Sequence, residues 1–356
     1  MISFFTPLMN LSGVLEKYTL VKLIGKSRLS EVYLAHHNKY SGYYAIKVFP
    51  KNVDQVAEAV FVKSIRILMT VKHVNILKFF EMIEDENYYA AVIEYALHRD
   101  SDQHIRKGIQ TDNIEGVIKV FTQIAHTIYY LNRNEKLIYG NLCHQRLLID
   151  ERYNIKLYDF GKSINSGFNN WDLKAPISKS GITNSEKVYS PPEVLIFQQY
   201  SEKSDVWSLG VLLYYLIYGK VPFGILDSDD DETFKEKMND SSVIFDYTNF
   251  VMMDDLKALI NGMLRSDPHE RLSIDQVIDY SLVKAQFEKM HGNKFLSLPS
   301  LLGPIKSSQS QDIKHIYQMK AQHNACLMNI TKYRRMTMAK VMTPSQQTQK
   351  PAVLFA

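Results

Sequence analysis

The sequence predicts an α+β fold in two parts, a small β-sheet carrying one helix and then a larger, mainly helical half, and three observations predict it. Residues near 18–50 alternate and are rich in Tyr, Val and Leu, with turn-forming Asn38 and Gly42 between the runs, the pattern of successive strands. Over residues 53–71 the apolar positions, among them Ile65, Leu68 and Val71, recur at helical spacing. A strand pair is then expected over about 76–95, broken at the polar residues 84–87, and the remainder reads as mostly helical. The two parts would meet at a hinge over residues 94–96.

Length and composition suit this division. A chain of 356 residues is about two ordinary domains, and 46% hydrophobic with 12% aromatic content is ample for packed cores. The only cysteines, Cys143 and Cys326, lie far apart, which argues against a disulfide-stapled secreted domain and favours the cytoplasm, or the nucleus. The longest apolar run, about residues 211–218, is far short of a spanning helix, and the N-terminus has no basic start before a long apolar stretch. No membrane segment or secretion signal is therefore expected. Phe4, Phe5 and Leu8 are expected to pack back on the small sheet.

Several motifs follow one another in order. IGKSRLSEV (24–32) is a loop with one glycine and two serines, and YAIK (44–47) ends on a lysine. YGNLCHQRLLIDERYNIKLYDFG (139–161) ends on Asp159, Phe160 and Gly161. YSPPEVL (189–195), SDVWSLGVLLYYLIYGKVPF (204–223) and DPHERLS (267–273) come after it. Together, over roughly residues 18–287, these resemble the protein kinase superfamily, and within it the Ser/Thr branch that includes the calcium/calmodulin-dependent and AMP-activated kinases. The resemblance implies a two-lobed kinase fold: an extension over 1–17, a small lobe over 18–95, a large lobe over 96–287, and a linker with a basic, Met-rich tail over 288–356. It also implies that Glu193 pairs with Arg271 and that Asp205 binds the catalytic-loop backbone.

The resemblance implies a role for each chemical position, and several are filled by the wrong residue. Asn141, 18 residues before Asp159, stands where the catalytic Asp belongs. That Asp receives or orients the substrate hydroxyl proton, which needs an anion at neutral pH; an amide cannot take the proton up. Losing a positioned base costs about 10²- to 10⁴-fold in rate. Arg146 replaces the Asn that ligates a second magnesium, and a fixed cation has no lone pair to offer a hard metal, although it can pair with a phosphate. Cys143 replaces the Lys that contacts the transferred phosphoryl, and Gly140 the Arg that receives an activation-loop phosphate. The verbatim HRD at His98, Arg99 and Asp100 follows the hinge too early to be this loop and reads as a polar connection.

In the small lobe Lys47 is the phosphate-binding Lys, but its helix partner Glu is Ser64. Glu58, six residues earlier, falls on another face of the helix and is a poor substitute. The phosphate-covering loop keeps Gly25 but has Ser27 and Ser30 where backbone would approach phosphate through glycine. Val32, Ala45 and Leu148 fall at the adenine-sandwiching positions, and Glu94 and Ala96 at the hinge that borders them. Leu68, Phe79, Tyr139 and Phe160 fall on the apolar column joining the lobes; each alone is also what ordinary core packing would supply. The set implies a nucleotide-shaped cleft with weak ATP binding. Asp159 remains as a lone, weak metal ligand, and the substitutions argue against magnesium.

The activation segment (159–193) carries Ser178, Ser180, Thr183 and Ser185 as phosphorylation candidates, and Glu186 replaces the Thr that contacts the catalytic Asp. The acidic run at 227–232 reads as a solvated loop or a dock for a basic partner. The tail from 303 has Lys306, Lys314, Lys320, Lys332, Arg334, Arg335, Lys340 and Lys350 against the single acid Asp312, a net +7. Interleaved methionines there suit a basic amphipathic helix that docks in a calmodulin-like groove, on acidic membrane or on the chain's own kinase-like domain, or a disordered tail. Nothing suggests sequence-specific nucleic-acid binding. The expected function is a pseudokinase, a scaffold or allosteric partner of an active kinase or a substrate. The alternative is a weak or unconventional Ser/Thr kinase working through Lys47, Asp159 and Arg146.

Overall fold

The computed structural model describes residues 11–27, 29–96, 114–149, 153–165, 187–224, 232–233, 236–237, 243–245 and 254–291. The expectations for Phe4, Phe5 and Leu8, for His98, Arg99 and Asp100, for the activation-segment candidates, for most of the acidic run and for the tail lie outside the described residues.

The alternating stretch becomes three antiparallel strands, β1 (Tyr18–Lys26), β2 (Glu31–His37) and β3 (Tyr43–Pro50), turning at Gly42, whose φ of 116° suits only glycine. With β4 (Phe79–Glu84) and β5 (Tyr88–Glu94) they form one sheet in the order β1-β2-β3-β5-β4. Between β3 and β4 runs α2 (Gln55–Thr70). It starts after the expected residue 53 because Asp54 caps it, accepting the N–H groups of Val56 and Ala57 at 3.1 and 3.0 Å. A short preceding helix, α1 (Ser12–Leu15), buries Val14 and the adjoining Leu11 in the core formed with Tyr18, Ile46, Val48, Tyr88 and Val92.

The strand expected from about Ile76 begins instead at Phe79. Ile76 and Leu77 turn to the large lobe, where Leu77 N–H donates to the Leu157 carbonyl at 3.0 Å and Leu157 N–H returns to the Asn75 carbonyl at 2.7 Å. Asn75 Nδ2 continues the seam, donating to Gln123 Oε1 and the Ile155 carbonyl.

The large lobe is helical: α3 (Ile114–Arg133), α4 (Pro192–Phe197), α5 (Glu202–Tyr218), α6 (Asp254–Met263), α7 (Ile274–Ile278) and α8 (Ser281–His291). Helix α5 is buried on nearly every side, as an all-round apolar sequence requires. It packs against α3 and α6, starts in a capping box of Ser201 and Ser204, and ends at Gly219. Two ribbons lie toward the cleft: β6 (Leu137–Ile138) with β9 (Ile164–Asn165), and β7 (Leu147–Ile149) with β8 (Ile155–Leu157). The molecule is thus the two-lobed α+β architecture expected. No described helix is long and apolar enough to cross a membrane.

The framework pair forms as expected. Arg271, 1% exposed, donates from Nη1 to Glu193 Oε1 at 2.7 Å and from Nη2 to Oε2 at 3.0 Å. Its remaining N–H groups reach the carbonyls of Arg265, Lys203 and Ser266, and its guanidinium lies over the Trp207 ring. All five donors are satisfied, the condition on which a buried guanidinium is tolerated.

Candidate functional site

Strand register carries Lys47 into the cleft. It lies opposite Val32 on β2 and Ala91 on β5, with Gly25 opposite Val32 on the other side. The Lys47 ammonium sits 5.7 Å from the centroid of Phe61 on α2, and among the described residues no carboxylate comes within ion-pair distance of it. Glu58 does face elsewhere: it accepts the Tyr89 hydroxyl at 3.1 Å and the Asn52 N–H at 3.1 Å, bracing the turn from β3 into α2.

Ser64 has a different task from the Glu it replaces. Its Oγ accepts the Phe160 N–H at 2.9 Å, tying α2 to the Asp159 turn. Next to it, a Cβ on Gly161 would lie 2.5 Å from Val60 Cγ1, so only glycine lets α2 approach this closely. Phe160 is fully buried, with its ring 5.2 Å from Tyr139 in an edge arrangement, and the Tyr139 hydroxyl donates to the Tyr158 carbonyl at 2.6 Å. Beneath, Asp205 accepts the Tyr139 and Gly140 N–H groups at 2.9 and 2.8 Å, as anticipated. Burial pushes the Asp205 carboxyl up to about 6. Gly140 adopts φ +63°, and a Cβ there would stand 3.4 Å from the Lys162 carbonyl oxygen.

Asp159 also sits at positive φ, +67°, uncommon for a residue with a side chain. That turn aims its carboxylate at Arg146, whose Nε donates to Oδ2 at 2.9 Å. Arg146 Nη1 meets the Cys143 sulfur at 3.2 Å. Burial alone would raise the Asp159 carboxyl; the Lys47 ammonium and the Arg146 guanidinium together hold it below the usual carboxylate range instead. Asn141 is 7% exposed, and its Nδ2 donates to the Asp159 backbone carbonyl at 3.0 Å.

Above the cleft, the two serines of the covering loop bind each other. Ser27 and Ser30 hydroxyls are 2.8 Å apart, Ser27 N–H donates to the Ser30 carbonyl at 2.8 Å, and Ser30 N–H to the Ser27 hydroxyl at 3.0 Å. Both backbone donors are engaged within the loop rather than turned to a phosphate. At the back, Ala45 is buried in β3 beside Ile93, Val32 is half-buried in β2, and Leu148 is half-buried in β7. Glu94 accepts Lys156 Nζ at 2.9 Å and the Lys78 N–H at 3.1 Å, while Ala96 is half-buried where the described chain leaves the small lobe.

The pairing of Arg146 with Asp159, the Ser64 bond to Phe160, the Asn141 bond to Asp159 and the Ser27 bonds to Ser30 were not legible in the sequence. Their signal lay only in which family positions had changed together. The described residues do not fit magnesium: one oxygen of the Asp159 carboxylate already binds the Arg146 guanidinium, and that guanidinium stands where a metal-ligating oxygen would be needed. They fit the adenine end of a nucleotide better, with small Ala45 and half-buried Val32 and Leu148 offering apolar surface, and with two cations below.

A two-lobed fold whose interlobe cleft carries a β3 lysine and an Asp-Phe-Gly turn defines a protein of the kinase type. The protein kinase domain family matches residues 18–283, and the chain belongs to that family. It is 28% identical over 272 residues to an Aurora kinase of Dictyostelium discoideum, covering 76% of this chain and 66% of that protein. It is 28% identical over 263 residues to an Aurora kinase of Schizosaccharomyces pombe, covering 73% and 70%. Against a carbon catabolite-derepressing protein kinase of Secale cereale it is 30% identical over 278 residues, covering 76% of this chain but 52% of the relative.

Proposed function

We propose that this chain is a pseudokinase, a kinase-type fold that acts through its surfaces as a scaffold or allosteric regulator of protein partners in phosphorylation signalling. The observation that carries the reading is Asn141. The side chain at the position of the general base is an amide, and it donates its N–H to the Asp159 carbonyl at 3.0 Å. A group oriented as a donor and unable to accept a proton at neutral pH serves the shape of the loop, not proton removal from a hydroxyl. The self-bonded serine loop and the Ser64 link support the same reading, since each stabilises the order of the cleft without serving phosphoryl transfer. The partners that suit it are an active kinase or a substrate of one, and the buried free thiol of Cys143 is in keeping with a reducing compartment such as the cytoplasm.

The experiment is phosphoryl transfer from labelled ATP, with magnesium or manganese, to generic acidic and basic proteins, beside a Lys47→Ala control. No transfer above the control is the expected result. Transfer that the control abolishes would make the chain an unconventional Ser/Thr kinase and sink the proposal.

A further inference from the structure

We propose that the cleft binds the phosphates of a nucleotide without a divalent cation, Arg146 occupying the metal's place and, with Lys47, supplying its charge. This binding mode deepens the pseudokinase reading and rests on its nucleotide-shaped cleft. In the family's pattern the base of the cleft is acidic: the lysine is neutralised by a helix Glu, and an Asp with further oxygen ligands calls for magnesium before a polyphosphate can enter. Here the balance is reversed. Ser64 removes one acid, Asn141 another, and Arg146 adds a base, so among the described residues Lys47 and Arg146 both act on the carboxylate of Asp159. That is a net positive floor before any ion is added. A metal approaching Asp159 would have to share the carboxylate with a guanidinium bonded to Oδ2 at 2.9 Å, two cations against one anion.

The covering loop points the same way. With the Ser27 and Ser30 N–H groups engaged in the loop, recognition of phosphate falls to the floor, where a planar guanidinium and an ammonium are the groups suited to oxyanions. Asp159 holds Arg146 in position and does not act as a ligand.

The test is a titration of the purified full chain with ATP in EDTA and, separately, with excess magnesium, read by calorimetry. Binding in EDTA at least as tight as with magnesium is expected, because chelation of magnesium by ATP removes the free polyanion the site prefers. Arg146→Asn should weaken binding in EDTA by about 10- to 100-fold, the worth of a charge-assisted hydrogen bond. Its melting behaviour serves as the control for folding. Asp159→Asn discriminates further: a metal-dependent site loses ATP on this change, whereas this one keeps it, because the amide oxygen can still accept the Arg146 Nε–H that positions the guanidinium while the negative charge is gone. Binding only with magnesium, loss of binding in Asp159→Asn, or no ATP binding in either buffer would overturn the inference. The pseudokinase proposal is overturned only by transfer in the labelled-ATP assay, which none of these results amounts to, so the two proposals fail separately.

Discussion

The Ser64 hydroxyl accepts the Phe160 backbone N–H at 2.9 Å, and through that bond α2 is joined to the segment bearing Asp159. In the family's pattern the same position joins α2 to the β3 lysine. The helix is therefore held against the large lobe's turn by a neutral bond that needs neither a nucleotide nor an ion pair.

Ser64→Ala should cost about 1–3 kcal/mol, because a buried N–H loses its acceptor and gains none. Urea unfolding reads this directly. A change below about half a kcal/mol would mean that water or another acceptor already serves Phe160.

Asn141→Asp alone should not restore phosphoryl transfer, since Arg146 and Ser64 remain and residues that act as a unit are not additive. It should also destabilise the fold, because it replaces the donor to the Asp159 carbonyl with a carboxylate facing that oxygen. Transfer assays paired with urea midpoints test both halves. Full activity from this one change would refute the structural role assigned to the loop.

Arg271→Ala should be among the most damaging substitutions, at about 3–5 kcal/mol, since it leaves the Glu193 carboxylate buried without its cation. If it fails to fold, Glu193→Gln, which keeps the shape and a neutral acceptor, should fold with a smaller loss and allow the measurement.

Stability should fall in acid through two half-buried histidines. Burial lowers both His73 and His126 to about 4; a lysine, Lys156, adds to the effect at His73, and His291 and His73 add to it at His126. Their folded values lie below the unfolded value of about 6.5, so the stability they allow is complete above 6.5 and is lost as pH falls from there toward 4. Asp205 acts in the opposite sense, because its folded value of about 6 makes the folded state the better proton binder between about 4 and 6. His126 stacks on Phe287 at 3.9 Å with its Nε2 buried and unpartnered. His126→Phe should therefore flatten the loss between pH 7 and pH 5, read as the difference in urea midpoint at the two values. An unchanged difference would show that this ring does not carry the acid sensitivity.

The sequence made the scaffold legible because its signals are periodic or local. The apolar spacing of Ile65 and Leu68 marked α2 and the alternation before Pro50 marked successive strands, while α5 was legible through the resemblance of residues 204–223. Asp205 and the Glu193 with Arg271 pair were legible only through the order of motifs, since nothing local links residues 78 apart. The floor of the cleft was not legible in detail. Which partner Arg146 takes depends on the left-handed backbone at Asp159, and which one Ser64 takes depends on how closely Gly161 lets α2 approach. Spacing encodes neither. Ile76 misled because an apolar residue before a strand can serve the next lobe's ribbon as well as the strand itself.

The burial of Leu11 and Val14 against Tyr18, Tyr88 and Val92 separates two boundaries that are easily taken as one. The family match starts at residue 18, but the cooperative unit of the small lobe starts at least seven residues earlier. A chain trimmed to the match would present a bare apolar patch where α1 had lain. Its weakened sheet and its tendency to associate would then be artefacts of trimming, easily mistaken for properties of the cleft.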